Sequence, residues 1–277
     1  MSHIFDALRR VDQMNGGPVA EPTPFQPGRG LDVLQSFAPK VAGLETVERV
    51  VGHPQRGSRV LSDGERDRAG VERFKLLRYR LYQLRKQRSV KCLLIASSIP
   101  QEGKSTVAAN LAVTLAQVSG RVLLVDADLR KPSLHTAFGL KPMRGLADVL
   151  QERAEFIDAC RRASPWGIYF LGAGSSVANP VELLQAEAMQ CFMHNVTTLF
   201  DWVLLDSPPL VPLADGRFLA SLCDAAVFVA REGYTRREQL EEGLAALKAA
   251  YCAGIVLNSS QSADQAAYSY YHAPAAK

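Results

Sequence analysis

The sequence has no run of about 18 apolar residues, which is the length that a membrane-spanning helix requires. Cysteine is scarce as well. The five cysteines are widely spaced and form no Cys-x-x-Cys pair. Disulfide frameworks, zinc ribbons and iron–sulfur ligation are therefore not expected, and a reducing compartment fits the chain. The five histidines show no metal-ligand spacing. We expect a cytoplasmic protein without a transmembrane segment.

The chain does have the length and composition of an ordinary globular protein. Its 277 residues are 47% hydrophobic and 22% charged, which allows a sizeable core in one large or two small domains. The net charge of +4 is unevenly placed, because residues 66–88 hold nine Arg or Lys against Asp67 and Glu72. On charge alone this segment is a solvated helix face, although nucleic acid, anionic lipid or an acidic partner could also bind it.

Composition and periodicity divide the chain into four segments. Residues 1–15 carry apolar residues at i, i+4 and i+7, which predicts a short amphipathic helix. Residues 16–65 begin rich in glycine and proline, which predicts a flexible linker and an irregular region. Residues 66–260 form the predicted main domain. Residues 261–277 form a predicted mobile tail of small residues and tyrosines.

The main domain alternates apolar strands with helices, after a first helix whose apolar stripe runs from Val71 to Leu84. Continuous apolar runs separated by helices indicate strands that are buried on both faces. They predict an α/β fold with a doubly wound, mostly parallel sheet. The predicted strands are 90–97, 121–126, 167–171, 201–206, 225–230 and 253–258. The further helices are 104–118, 145–159, 180–199, 214–222 and 235–250.

The first of these strands runs directly into a phosphate-loop pattern. Residues 98–105 match Gly-x-x-x-x-Gly-Lys-Ser/Thr except at the first glycine, which is a serine here. Gly103 lets the backbone approach an anion, Lys104 reaches the β- and γ-phosphates, and Ser105 ligates Mg²⁺. The strand–loop–helix context argues against a chance match. The predicted nucleotide-binding residues of this loop are Ser98, Gln101, Glu102, Gly103, Lys104, Ser105 and Thr106.

Two other strands end in carboxylates. Asp126 and Asp128 lie just past the second strand, and such a pair indicates oxygen ligands for a divalent cation, or a base beside one. The apolar strand 203–205 is followed by Asp206, which fits the second-carboxylate pattern of phosphate-loop NTPases or a turn before Ser-Pro-Pro. Three motifs, in order, at three strand ends predict an Mg²⁺–nucleoside triphosphate site.

The motifs together resemble the bacterial tyrosine kinases of capsule and exopolysaccharide synthesis. Phosphate loop 98–105 is followed, as in that family, by a deviant Walker A′ sequence at 123–130 and a Walker B strand at 203–206. The resemblance covers roughly residues 66–260. The opening residues are similar to members encoded with exopolysaccharide export systems.

The resemblance implies ATP-dependent autophosphorylation on tyrosine, with ATP and Mg²⁺ as cofactors. By analogy Lys104 neutralises the phosphates, while Ser105, Asp128 and Asp206 arrange Mg²⁺. Asp126 is the better candidate for accepting the tyrosine proton, although both Asp126 and Asp128 could serve the metal. The expected catalytic residues are thus Lys104, Asp126 and Asp128. Two further expected nucleotide contacts are Arg130 and Asn258.

An acceptor tail and a subunit ring are also implied by the resemblance. The family's C-terminal tyrosines receive phosphate in trans, and the alternative for such residues is packing on the body of the domain. The family's oligomerisation motif, Glu-x-x-Arg-x-x-Arg, has a lysine in place of its middle arginine here. The candidate acceptors are Tyr268, Tyr270 and Tyr271, and the candidate interface residues are Glu72, Lys75 and Arg78.

Family members without a transmembrane segment act with a separate membrane protein. The resemblance therefore implies a polysaccharide chain-length determinant, or co-polymerase, as partner and a peripheral position on the inner face of the membrane. We hypothesise that the amphipathic helix over 3–13 docks on that partner or on the bilayer surface, the alternative being that it packs against the protein's own body. The alternative is a catalytically weak ATP-binding switch similar to the partition and septum-positioning ATPases. Those relatives carry a signature lysine where this chain has Ile99. Nucleic acid is not expected as a partner, because no recognised module accompanies the basic helix.

Overall fold

The computed structural model describes residues 41–54, 60, 68–247 and 250–259. The predicted N-terminal helix, most of the predicted linker and the tyrosine tail lie outside the described residues. A 3₁₀ helix spans Val41–Thr46. The α-helices are α1 (Arg68–Gln87), α2 (Lys104–Ala116), α3 (Leu134–Ala137), α4 (Leu146–Leu150), α5 (Phe156–Ala159), α6 (Pro180–Gln185), α7 (Glu187–Leu199), α8 (Ala214–Ser221) and α9 (Arg237–Ala246).

The described strands form one sheet of eight, in the order β1-β4-β5-β3-β6-β2-β7-β8. Six of them, from β5 to β8 in that order, run parallel, while β4 is antiparallel to β5 and β1 pairs with β4. The strands are β1 (Arg49–Val51), β2 (Cys92–Ser97), β3 (Val122–Asp126), β4 (Arg161–Ser164), β5 (Ile168–Leu171), β6 (Trp202–Asp206), β7 (Ala225–Arg231) and β8 (Tyr251–Asn258).

Both faces of the sheet are buried. Side chains of β2 alternate between two hydrophobic clusters, with Leu93 and Ile95 in one and Cys92 and Leu94 in the other. Helices α1, α2 and α3 cover the first cluster, and α4 to α9 cover the second. This alternation is what continuous apolar strands predict. The prediction of an α/β doubly wound, mostly parallel sheet is confirmed.

The structure differs from the sequence prediction where short elements lack an apolar run. Strands β1 and β4 were not predicted, because they have three and four residues and contain arginines. Residues 49–51 therefore join the sheet, although 16–65 was predicted to be linker and irregular chain. The single helix predicted over 145–159 is two short helices, α4 and α5, and the one predicted over 180–199 is interrupted at Ala186, whose backbone is extended. Good helix formers flank Ala186, so nothing in the local sequence marks the break.

The strand order brings the predicted motifs to one edge. Strands β3, β6 and β2 are direct neighbours, and Asp126 lies opposite Asp206 in the β3–β6 register. On the other side of β2, the ends of β7 and β8 meet at the pair Arg231 and Asn258. The carboxyl ends of β3, β6, β2, β7 and β8 thus lie side by side at the edge of the sheet where the phosphate loop begins. No helix within the described residues is long and apolar enough to span a bilayer.

Candidate nucleotide and magnesium site

The phosphate loop connects β2 to α2 through a backbone conformation that strongly favours glycine at residue 103. Gly103 has φ of 95°, and a Cβ there would lie 2.0 Å from Asn258 Nδ2. Gln101 also has a positive φ, of 66°, although it is not glycine. Alternating conformations of this kind turn successive amide groups toward one point, which is how such loops bind anions. Lys104, the first residue of α2, is buried.

Asp126 and Asp206 are buried carboxylates with free oxygen atoms. Asp126 Oδ2 accepts hydrogen bonds from the amides of Ser133 and Leu134, both at 3.0 Å. Asp126 Oδ1 and both carboxylate oxygens of Asp206 lack a hydrogen bond of ordinary geometry within the part of the chain that the structure describes, although the Ser105 hydroxyl lies near enough to interact with Asp206. Because burying an unpartnered carboxylate is costly, these oxygens fit a site that binds a cation.

Burial also changes the protonation of this pair. Desolvation raises the pKa of Asp126 to about 8, and the negative charge of Asp206 adds to the effect. Burial raises the pKa of Asp206 to about 6, while the neighbouring Lys104 charge and Ser105 hydroxyl act in the opposite direction. Ionising both buried carboxylates at once costs free energy. Such a pair is suited to binding a divalent cation or to accepting a proton.

The remaining predicted metal-site residues lie around this pair. Asp128 is half-buried, and its Oδ1 accepts a hydrogen bond from the amide of Lys131 at 3.0 Å. The Ser105 hydroxyl accepts a hydrogen bond from the hydroxyl of Ser133 at 2.9 Å. No group of three or more His, Cys, Asp or Glu poised for a metal occurs among the described residues. Mg²⁺ sites in phosphate-loop proteins draw on substrate phosphates and a serine, so this donor set fits Mg²⁺ bound with a nucleotide.

The Arg130 side chain forms an ion pair with a residue that the sequence analysis did not identify. Its Nε donates to Asp215 Oδ2 at 2.7 Å and its Nη2 to Oδ1 at 3.4 Å. Asp215 is buried at the start of α8, so this two-point ion pair joins the β3 loop to that helix. Nothing in the sequence pairs two residues that are 85 positions apart. The predicted role of Arg130 at the nucleotide remains a prediction.

Ser98 replaces the usual first glycine of the loop without obstructing it. The residue is fully buried, and its Oγ lies 2.5 Å from the point where a Cβ on Gly243 would be. Gly243 lies on the buried side of α9. The serine side chain therefore occupies space that the missing side chain of Gly243 leaves open. The absence of a side chain at Gly243 thus leaves room for a serine at the first position of the loop.

Glu102 and Asn258 contact the protein itself. The Glu102 side chain is fully buried, and its Oε2 accepts a hydrogen bond from the amide of Ile99 at 2.8 Å. Asn258 Nδ2 donates to the carbonyl of Glu102 at 2.9 Å. Thr106 is half-buried in the first turn of α2. Any contact of these residues with a nucleotide remains a prediction.

The predicted interface residues lie on α1, away from the strand ends. Lys75 Nζ and Glu72 Oε1 form an ion pair at 2.6 Å within this helix. Arg78 Nη1 donates to the carbonyl of Thr114 on α2 at 2.7 Å, so its guanidinium ties α1 to α2. The predicted acceptors Tyr268, Tyr270 and Tyr271 lie outside the described residues.

Comparisons with known proteins agree with this architecture. A family model described as cellulose biosynthesis protein BcsQ matches residues 99–248. The chain is 35% identical to tyrosine-protein kinase YwqD of Bacillus subtilis (strain 168), over 78% of this chain and 94% of that protein. Several longer relatives are matched over only 24–32% of their own length.

Two solved structures resemble the fold closely. The chimerical protein CapA2B2 matches with a TM-score of 0.70 and 25% identity, covering 79% of this chain and 97% of that one. The kinase domain of Escherichia coli tyrosine kinase ETK matches with a TM-score of 0.65 and 25% identity, covering 70% and 78% of the two chains. The fold and the loop define a phosphate-loop NTPase with a deviant second motif. Within that class, the chain belongs to the bacterial tyrosine kinase family, as its motifs predicted.

The contact between Ser98 and Gly243 predicts that Gly243→Ala destabilises the protein, although alanine normally favours a helix. The new Cβ would lie 2.5 Å from Ser98 Oγ and 2.7 Å from Phe228 Cζ. Overpacking of this kind costs about 1–3 kcal/mol, which urea denaturation would measure. Gly120→Ala is the matched control, because no heavy atom lies within 4 Å of its Cβ. Adding Ser98→Gly should restore part of the loss, and a fully stable Gly243→Ala protein would contradict the packing argument.

The raised carboxyl pKa values predict that the nucleotide-free protein loses stability as the pH rises. An unfolded Asp titrates near pH 4, so the folded state holds protons that the unfolded state releases. The stabilisation is complete below about pH 4 and is lost as the pH passes the values of about 6 for Asp206 and about 8 for Asp126.

Asp126→Asn should therefore lose less free energy of unfolding than the unaltered protein between pH 5 and pH 8.5. The expected difference is at least about 1 kcal/mol, since one unit of pKa shift is equivalent to about 1.4 kcal/mol. Urea titrations in EDTA would measure it. Asp158→Asn, at an exposed carboxylate, serves as the control. Parallel pH profiles for Asp126→Asn and the unaltered protein would show that Asp126 is not a buried proton site.

Proposed function

We propose that the protein is an ATP-dependent tyrosine autokinase. It transfers the γ-phosphate of Mg-ATP to Tyr268, Tyr270 and Tyr271 of a neighbouring copy. The observation that carries the proposal is the meeting of Lys104, Asp126 and Asp206 beneath a phosphate loop. Similarity to YwqD over 94% of that kinase supports it.

The chain's own residues account for binding and orientation. The loop amides and the Lys104 ammonium would hold the phosphates. The Ser105 hydroxyl and the carboxylates of Asp206 and Asp128 would hold Mg²⁺. Mg²⁺, when bound, neutralises charge on the transferred phosphoryl group. Lys104 is the cation that most lowers the pKa of Asp206, so it supports the ionised form of that carboxyl.

Asp126 is the proposed acceptor of the tyrosine proton. Two backbone amides fix its Oδ2, which leaves Oδ1 as the atom that can hold a proton. Burial and the negative charge of Asp206 raise the pKa of Asp126 to about 8 in the cation-free site. A cation bound beside Asp206 would lower that pKa and favour the ionised form that accepts a proton. Asp128 is the alternative base, because it is more accessible and only two residues away.

The cellular setting is part of the same proposal. We propose that the kinase regulates polymerisation and export of an exopolysaccharide, in association with a membrane chain-length determinant at the inner face of the membrane. Support comes from the relatives, which include a succinoglycan biosynthesis transport protein, ExoP of Rhizobium meliloti, at 31% identity over 78% of this chain. The proposed subunit ring would bring each tail to a neighbouring active site.

Mass spectrometry of the purified protein after incubation with Mg-ATP tests this function. We expect phosphate on the tail tyrosines, and the triple change of these residues to Phe should remove most of it. Lys104→Met should remain folded and incorporate none, because the charge that binds the phosphates is lost. ATP hydrolysis without any phosphotyrosine would instead support the weak ATP-binding switch. Unchanged incorporation in the triple variant would move the acceptor elsewhere.

A further inference from the structure

Two carbonyl groups of the phosphate loop are held from outside by side chains of neighbouring strand ends. Arg231 Nη1 donates to the carbonyl of Gln101 at 3.3 Å, and Asn258 Nδ2 donates to the carbonyl of Glu102 at 2.9 Å. In a planar trans peptide the carbonyl and the following N–H point in opposite directions. Holding these two carbonyls outward therefore directs the amides of Glu102 and Gly103 toward the inside of the loop.

A hydrogen bond of the Glu102 side chain also joins the phosphate loop to the residues that follow β7. Its Oε1 accepts a hydrogen bond from the hydroxyl of Thr235, while Oε2 accepts the bond from the Ile99 amide. The Thr235 hydroxyl in turn accepts a hydrogen bond from the amide of Arg231 at 2.8 Å. A fully buried carboxylate is tolerated only when such donors satisfy it. Glu102 is thus anchored at both oxygens, one within the loop and one outside it.

The outside partners belong to one compact turn. The amide of Thr235 donates to the carbonyl of Arg231 at 2.9 Å, which closes the turn that follows β7. The amide of Glu232 donates to the carbonyl of Asn258 at 3.0 Å, which joins this turn to the end of β8. Since β7 lies beside β2 in the sheet, the turn is fixed next to the strand that carries the loop.

We propose that Thr235 and Arg231 are positioning residues that hold the phosphate loop in its anion-binding shape before a nucleotide arrives. The inference rests on the proposed nucleotide site and deepens it. The loop needs support from outside because Gln101 has a backbone conformation that residues other than glycine rarely adopt. A loop that is already ordered binds its ligand more tightly, because less ordering occurs on binding.

Thr235→Val tests the proposal, because valine keeps the side-chain shape and removes the hydroxyl. Loss of a hydrogen bond to a charged buried group should weaken Mg-ADP binding by about tenfold or more. Thr235→Ser, which keeps the hydroxyl, should bind almost as the unaltered protein does. The matched control is Thr197→Val, because Thr197 is also half-buried and its hydroxyl donates to carbonyls of its own helix.

Calorimetric titration with Mg-ADP and thermal melts without nucleotide would be measured on all four proteins. A positioning role predicts loss of affinity in Thr235→Val alone, with KM for ATP raised more than kcat is lowered. Equal affinities of Thr235→Val and Thr197→Val would overturn the inference and leave the proposed function intact. Absence of nucleotide binding by the unaltered protein would overturn both.

A second variant keeps the test decisive if Thr235→Val fails to fold. Arg231→Met retains the apolar stem of the side chain and removes the donor to the Gln101 carbonyl. We expect several-fold weaker Mg-ADP binding from this variant, with an unchanged melting temperature. Affinity equal to that of the unaltered protein would contradict the proposal.

Discussion

The site depends on the burial of two carboxylates on adjacent strands, because burial disfavours the charged form of each. Asp126 and Asp206 lie opposite each other at the ends of β3 and β6, and three of their four oxygens lack a hydrogen bond of ordinary geometry among the described residues. Lys104 lowers the pKa of Asp206, but burial still raises the pKa of both acids. Mg²⁺ held beside these carboxylates would compensate their buried negative charge. The fold therefore places two buried carboxylates at one edge of the sheet, where Mg²⁺ bound with a nucleotide can compensate their charge.

The rest of the architecture keeps this edge rigid. Strands buried on both faces fix where each carboxylate emerges, and ties from distant parts of the chain support the connecting loops. Asp215 holds Arg130 beside the β3 loop, and the turn after β7 holds the phosphate loop through Glu102. Positioning of this precision matters in phosphoryl transfer, where geometry and charge stabilisation do most of the work.

Sequence patterns were sufficient to predict the α/β class, the central strands and the gathering of Asp126 and Asp206 near the loop, because apolar runs and strand-end motifs are local signals. They could not predict β1 and β4, which are short and charged, or the break at Ala186, which lies among good helix formers. The partners of Arg130 and Glu102 were also missed, since Asp215 and Thr235 are 85 and 133 positions away. Such contacts arise from the folded topology and leave no pattern in a single sequence.

The central claim is that the Asp126–Asp206 pair requires a divalent cation to bind nucleotide phosphates. Calorimetric titration of the unaltered protein with ADP, once in excess Mg²⁺ and once in EDTA, tests it most directly. We predict tight binding with Mg²⁺ and a loss of at least about tenfold without it, because the buried carboxylates then repel the phosphates. Equal affinity under the two conditions would contradict the account.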